Sequence, residues 1–245
     1  MDFDVSVVVP VFNEASGIPR LVTELGDYFS GQNFRTEVIF VDDGSRDGSG
    51  EILKKQDHRF YEPRLVRLAK NCGSHRAIRA GIHESSGKYT VCLPADLQDP
   101  PSLIGRLREK CLEGYAIVFA ARNSSTANPG GFFSRLYASL VRRFLFSGFP
   151  ENGFDVVMFD AAVREELNRR ILPASSLFLQ ILGLNHAKSF IRYDKTRRTE
   201  GKSGWTLSKR LKLFIDSFFP SRRFVPAEKA FPIAENIRIG AARAL

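Results

Sequence analysis

The stretch Thr90–Pro101, "TVCLPADLQDPP", closes an apolar β-type run with Asp96, followed by Gln98, Asp99 and a Pro-Pro pair. A carboxylate at the C-terminal end of a strand, in the crevice of an open α/β sheet, sits where such folds bind ligands. It can take a hard divalent cation that in turn holds a diphosphate. A lone aspartate there is more often a helix cap or a solvated turn. The chemical reading therefore rests on three further pieces at compatible positions.

The first is "VVVPVFNEASGIPRL". A strand leaves its sheet at Pro10, and Phe12, Asn13 and Glu14 follow at its end. Pro10 fixes φ, and Asn13 and Glu14 offer acceptors towards a nucleobase. Glu14 could equally favour a helix N-terminus. The second is "VIFVDDGSRDGS". Asp42 and Asp43 end another strand and can accept from a base N–H and from ribose hydroxyls. Gly44 and Ser45 permit a tight turn, and Asp47 reads as a helix cap. The third is "LAKNCGSHRAIRAGI". Asn71, Gly73 and Arg76 open a helix just after a strand, a natural place for a phosphate or ribose. The GxxxxGK[ST] spacing of a P-loop is absent.

These pieces need an alternating framework, and the first half supplies one. Strands are expected at Val5–Phe12, Glu37–Val41, Leu65–Ala69, Tyr89–Leu93 and Ala116–Ala120. Helices are expected at Gly17–Ser30, Gly48–Gln56, Ser74–Glu84 and Pro101–Leu112. Such alternation predicts a mainly parallel sheet covered on both faces, an α/β fold. Asn123–Gly131 reads as a loop. Helices are expected at Phe132–Phe146, Asp160–Arg170, Ser175–Leu184 and Thr206–Phe219, and strands at Asp155–Phe159 and Ser189–Tyr193. Asp160 reads as a cap for the helix after it. Lys195–Trp205 is a basic loop, and Phe219–Leu245 reads as a loosely structured tail. One domain is expected over 1–219, in two halves that meet where the pattern changes (1–122 and 123–219), with a tail at 220–245.

The three cysteines, Cys72, Cys92 and Cys111, form neither a disulfide framework nor a zinc pattern, and a reducing compartment is expected. No signal peptide and no spanning segment are read in the sequence. The net charge is +9, and it is concentrated: His186–Arg223 holds eleven Lys/Arg against three acids, or +8. A cluster of this kind suits an anionic partner, whether substrate phosphates, an anionic membrane surface or nucleic acid. A solvated basic face is the plain alternative. No helix-turn-helix, zinc-finger or RNA-recognition signature accompanies it, so nucleic acid is not expected.

Together the four pieces resemble family 2 glycosyltransferases of the GT-A fold. The likeness runs closely over residues 5–122 and continues through "GFDVVMFDAAV" (Gly153–Val163) and "YDKTRRTEGKSGWTLSKRLKLFIDSF" (Tyr193–Phe218). The later blocks look like the bacterial polyprenyl-phosphate glycosyltransferases, relatives of dolichol-phosphate mannose synthase. The resemblance implies that Pro10, Phe12, Glu14, Asp42 and Asp43 hold the nucleoside, with Asn71 and Arg76 beside them. Asp96 and Gln98 would hold Mg²⁺ or Mn²⁺ on the diphosphate. Arg197, Arg198, Lys202 and Ser203 would close over phosphates, with Arg gripping bidentately and Lys as a point charge. Trp205 reads either as an interfacial anchor or as core.

Asp155 falls where the family places a carboxylate near the acceptor. A sugar hydroxyl would need it as a base. A lipid phosphate is already anionic, and Asp155 would then position groups or bind metal.

Two departures stand out. Many relatives carry Asp-x-Asp where this chain has Pro94-Ala95-Asp96, which would lower metal affinity or call on Asp99. The two transmembrane helices that usually follow "KRLKLFIDSF" are not seen either. Membrane contact would then fall to Phe132–Phe146, Thr206–Phe219 and the basic patch. The expected activity is inverting, metal-dependent transfer of a hexose from a nucleoside diphosphate sugar. The expected acceptor is a polyprenyl phosphate or, alternatively, a hydroxyl of a lipid-linked surface glycan. The expected place is the cytoplasmic face of a bacterial inner membrane, bound peripherally, with a homo-oligomer left open. A non-catalytic nucleotide-sugar binder is the rival from another class.

Overall fold

Val5–Val11, "VSVVVPV", forms β1, and all of it but Pro10 is buried. A run without polar alternation suits a strand covered on both faces, and β1 lies inside an eight-stranded sheet. The computed structural model describes residues 2–123, 139, 142–143, 149–150, 152–169, 177–196 and 230–239. In chain order these residues give β1, α1 (Ile18–Ser30), β2 (Thr36–Asp42), α2 (Ser49–Lys55), β3 (Glu62–Leu68) and α3 (Ser74–Glu84). There follow β4 (Tyr89–Cys92), α4 (Leu103–Leu112), β5 (Ile117–Arg122), β6 (Phe154–Asp160), α5 (Ala161–Arg169), α6 (Leu177–Gly183), β7 (Lys188–Tyr193) and β8 (Ile233–Arg238).

The strand order is β7-β5-β6-β4-β1-β2-β3-β8. Four of the seven pairings are parallel, and the antiparallel ones all involve β6 or β8. The strands other than β6 and β8 therefore point one way, as the alternation predicts. Pro10 is tolerated in an inner strand by its position. Val8 turns its carbonyl to Leu93, just past β4, and Pro10, two residues on, faces the same side beyond the end of that pairing. The missing N–H removes no ladder bond there.

One face of the sheet packs α1, α2 and α4 through Leu21, Leu25, Leu53 and Leu107. The other packs α3, α5 and α6 through Ile78, Val163 and Ile181. A Cβ on Gly81 would stand 2.3 Å from Val8 Cγ1 and 2.9 Å from Val41 Cγ2, so glycine is what lets α3 lie this close to the sheet.

The expectation of a loosely structured tail is corrected for residues 230–239. Ile233–Arg238 pair antiparallel with β3, and Phe231 is fully buried. An edge strand covers one face only, so just Glu235, Ile237 and Ile239 turn inward. That is too little to stand out among prolines and charges. The loop Asn123–Gly131 (beyond Asn123), the helix Thr206–Phe219 and Trp205 lie outside the described residues. So does Phe132–Phe146, except for helical Ser139, Arg142 and Arg143. No helix among the described residues is long and apolar enough to cross a membrane.

The edge of the sheet where β1 and β2 begin is tied by a buried carboxylate. Glu37 accepts from Ser6 Oγ at 2.6 Å, Ser86 N at 2.7 Å and Ser86 Oγ at 2.8 Å, with Arg64 at 3.6 Å. Removing it would strand several donors in the core. Glu37→Ala should therefore cost about 3–5 kcal/mol, read as a lower urea midpoint with an unchanged slope.

On the other face His75 packs edge-on against Phe178, with Nδ1 buried and without a hydrogen-bond partner among the described residues. Burial pushes its pKa down from 6.5 to about 4. The unfolded chain therefore takes up a proton that the fold refuses across that window, and stability falls as pH drops through it. Melting curves from pH 7 to 4 should show His75→Gln losing less stability than wild type.

Candidate active site

Parallel topology brings the ends of β1, β2, β3, β4, β5 and β7 to one edge of the sheet. β6 runs the other way, so its start arrives at that same edge. Asp155, the second residue of β6, thereby comes alongside the β4–α4 loop that carries Asp96, Gln98 and Asp99. The sequence pieces thus converge although they lie far apart in the chain.

The β1, β2 and β3 ends are laced to one another by polar groups. Asn13, at φ 54°, donates its N–H to Ser45 Oγ at 3.0 Å and accepts Arg46 N–H on Oδ1 at 3.0 Å. Glu14 N–H donates to Ser49 Oγ, and Ala15 N–H to Asp47 Oδ2, both at 3.0 Å. Asp47, one residue before the Gly48 cap position, also accepts from Ser49 N, the first amide of α2, at 3.0 Å. Asp42, 1% exposed, accepts Ser45 N–H at 2.8 Å and pairs with Arg67 at 3.1 Å. Asp43, 2% exposed, accepts the amides of Cys72 at 2.6 Å and Gly73 at 2.8 Å. Burial raises the Asp43 pKa against the pull of those two amides.

Both aspartates thus act inward, holding the loops that surround the crevice. Gly44 is required between them and α3: its φ is +69°, and a Cβ would stand 2.7 Å from Asn71 N. Phe12 stands 44% exposed beyond β1, a bare aromatic face at the rim. Pro10 and Glu14 are half-buried beside it, Asn71 is exposed, and Arg76 is half-buried in the first turn of α3.

In the β4–α4 loop, Leu97 adopts φ 54°, and Gln98 N–H donates to Asp96 Oδ1 at 3.3 Å. Asp96 and Gln98 are half-buried in this loop. Asp99 does not assist them, which corrects the expectation that it could replace the missing aspartate at position 94. It is 0% exposed and accepts from the Tyr193 hydroxyl and from Lys195 Nζ at 3.2 Å. Lys195 also donates to Asp155 Oδ2 at 2.6 Å, and Arg122 Nε lies 3.6 Å from the same oxygen. One ammonium thus joins the loop after β4, the start of β6 and the end of β7.

Burial works to lower the Lys195 pKa, but Asp155 and Asp99 outweigh it and hold it above the ordinary lysine value. Burial likewise raises Asp99, with Lys195 opposing and Asp155 adding to the rise. Thr196 extends the junction by donating N–H to Gln98 O at 3.0 Å.

Lys195, Tyr193 and Arg122 are the residues that sequence reasoning missed. Their signal was a lysine two residues past a strand end, hidden inside a window of many cations. Among the described residues no group of three His, Cys, Asp or Glu could hold a metal ion. Asp96 with the Gln98 amide is nonetheless a donor set suited to Mg²⁺ or Mn²⁺. Mg²⁺ in particular commonly binds one or two carboxylates and takes its other ligands from substrate phosphates and water. Arg197, Arg198, Lys202 and Ser203 lie outside the described residues.

The chain matches the family model described as glycosyl transferase family 2 over residues 6–172. It is 33% identical over 220 residues to the uncharacterized glycosyltransferase YkcC of Bacillus subtilis, covering 86% of this chain and 66% of that one. It is 34% identical over 220 residues to the undecaprenyl-phosphate 4-deoxy-4-formamido-L-arabinose transferase of Pseudomonas paraeruginosa, covering 86% and 63%. The chain thus spans about two thirds of the length of these relatives. Among solved structures it resembles glucosyl-3-phosphoglycerate synthase from Mycobacterium tuberculosis in complex with Mn²⁺, UDP-glucose and phosphoglyceric acid. The TM-score is 0.61 at 16% identity, covering 91% of this chain and 87% of that one, a likeness of fold.

Losing Lys195 would leave Asp99 buried beside Asp155 without a cation. Lys195→Met should destabilise by about 3–5 kcal/mol, whereas Lys195→Arg should restore most of it. Chemical denaturation of the three proteins at pH 7 measures this.

Proposed function

The chain belongs to glycosyl transferase family 2, and on that footing we propose that it moves a hexose from a nucleoside diphosphate sugar to a polyprenyl phosphate. The proposed transfer inverts the anomeric carbon and uses Mg²⁺ or Mn²⁺. That the protein is a glycosyltransferase follows from its family and its relatives; the acceptor, the inversion and the metal are our reading.

The observation that carries the acceptor assignment is the clamp on Asp155. A sugar hydroxyl must lose a proton as it attacks, and the base needs a carboxylate oxygen placed to receive it. Asp155 Oδ2 is already held by Lys195 at 2.6 Å, with Arg122 at 3.6 Å. With both cations on Oδ2, the carboxylate is held in one orientation, which in our reading favours positioning over proton removal. A lipid phosphate arrives anionic and needs no base. The relatives named undecaprenyl-phosphate transferases support the same acceptor class.

On the donor side, Phe12 offers an aromatic face to the base. Pro10, Glu14, Asn71 and Arg76 would border the nucleoside, and the buried Asp42 and Asp43 would hold the loops around it. Asp96 and Gln98 would hold the metal, which when bound offsets charge on the departing nucleoside diphosphate. Asp155 would orient the reacting groups. Arg197, Arg198, Lys202 and Ser203 would meet acceptor or diphosphate oxygens. The basic window from His186 to Arg223 would rest against an anionic membrane at its cytoplasmic face.

Vesicles carrying undecaprenyl phosphate, offered with UDP-, GDP-, CDP- and dTDP-hexoses in Mn²⁺ or EDTA, test the reading. One donor should be consumed, only with the lipid phosphate and only with metal. Asp96→Asn should lower turnover about 10²–10³-fold, the scale of losing one stabiliser of developing charge. Transfer to a glycan hydroxyl with the lipid phosphate inert, or nucleotide binding indifferent to metal and to Asp96, would sink it.

A further inference from the structure

The C-terminal strand β8 lies at the far edge of the sheet from β7, yet one of its side chains reaches the donor crevice through two intermediaries. Glu235 and Arg67 are direct cross-strand partners in the β3–β8 ladder, and the register shifts immediately afterwards, between Arg67 and Leu68. Irregularities of this kind re-aim side chains near functional sites.

All three guanidinium nitrogens of Arg67 are engaged. Nη1 lies 3.4 Å from Glu235, Nη2 lies 3.0 Å from Glu51, and Nε lies 3.1 Å from Asp42. Glu235 also takes Lys54 Nζ at 2.8 Å, which keeps that second cation on the same cluster. The chain of contacts then continues inward. Asp42 fixes the amide of Ser45, and Ser45 Oγ fixes the amide of Asn13, next to Phe12.

The fold is cut to admit this arrangement. A Cβ on Gly50 would stand 2.0 Å from Arg67 Nη2 and 2.8 Å from Asp42 Oδ2, so the first turn of α2 opens only by lacking a side chain. An exposed ion pair alone contributes little. Here the inner end is a carboxylate that is 1% exposed, and three carboxylates converge on one planar fork.

We infer that β8 is part of the donor-recognition machinery, with Glu235 a positioning residue that acts through Arg67 and Asp42 on the loop from Asp43 to Gly48. The inference rests on the proposal that this crevice binds the nucleoside diphosphate. Neutralising Glu235 releases Arg67 Nη1 and leaves Lys54 Nζ, already 3.3 Å from the Glu51 oxygen that Arg67 Nη2 holds, to compete more strongly for it. Arg67 then no longer holds Asp42 in one place, and the loop carrying Ser45 loosens.

Calorimetric titration of the full chain with UDP, GDP, CDP and dTDP in Mn²⁺ tests this, using wild type, Glu235→Gln, Arg67→Lys, the double variant and Asn236→Ala. Asn236 is the control. It ties the same strand to Arg64 at 3.1 Å and Glu84 at 2.7 Å, away from Arg67. Glu235→Gln should weaken binding of the preferred nucleotide about threefold to tenfold, the range of coupled neighbours. Arg67→Lys should do at least as much, and the double variant should match the stronger single one. Asn236→Ala should bind as wild type does, even if it melts earlier. Wild-type affinity in Glu235→Gln would overturn the inference while leaving the donor reading intact. So would an equal loss in Asn236→Ala, which would reduce β8 to strand docking. Wild type binding none of the four nucleotides would overturn the donor reading, and this inference with it.

Discussion

Charge balance around one lysine sets the geometry where the parallel strands end. Asp99 has no access to water, and a carboxylate so placed can stay ionised only beside a cation. Lys195 supplies it, and in doing so it also takes Asp155. Burial works against the charge on both Asp99 and Lys195, so neither can be moved without the other. The loop after β4, the start of β6 and the end of β7 are therefore held at fixed separations. Because Thr196 is bonded to the Gln98 carbonyl, the segment leading into the basic loop is tied to the proposed metal ligands.

The proposed donor side is organised by a different device. There Asp43 accepts two backbone amides, and Asp42 accepts one amide and the Arg67 guanidinium, so neither carboxylate is left open to the crevice. The two amides that Asp43 accepts stand just before α3, and the one that Asp42 accepts lies in the turn after β2, so each acid fixes a loop rather than facing the crevice. The result is a rim whose shape is set by buried acids and whose accessible surface combines the Phe12 ring with polar groups such as Asn13, Arg46 and Asn71. Specificity for a base would then come from how tightly the loops are held as much as from direct contacts.

Much of this was legible in the sequence. β1 and β2 read as buried strands because valine and isoleucine run without polar interruption. The acids at their ends marked the crevice because strand ends gather at one edge of such sheets. The resemblance over residues 5–122 carried the family. What remained illegible depended on partners distant in sequence. Asp99 looked available because nothing local shows that Tyr193 and Lys195 cover it. Lys195 was one cation among eleven between His186 and Arg223, and only topology singles it out. β8 escaped notice because an edge strand's alternation is weak and its register partner is β3. The inward commitment of Asp42 and Asp43 is likewise set by Arg67, Cys72 and Gly73, which a strand-end reading does not weigh.

The antiparallel pairing of β8 with β3 also has a history in time. Arg64 and Asn236, bonded across that pair, are 172 residues apart in the chain. At a synthesis rate of about 5–20 residues per second, roughly 10–30 seconds pass between them. During that interval β3 is an open edge with unpaired backbone groups, the kind of surface that recruits foreign strands. The charged residues Glu62, Arg64 and Arg67 along β3 then serve a second purpose, keeping a nascent edge soluble until its own partner emerges.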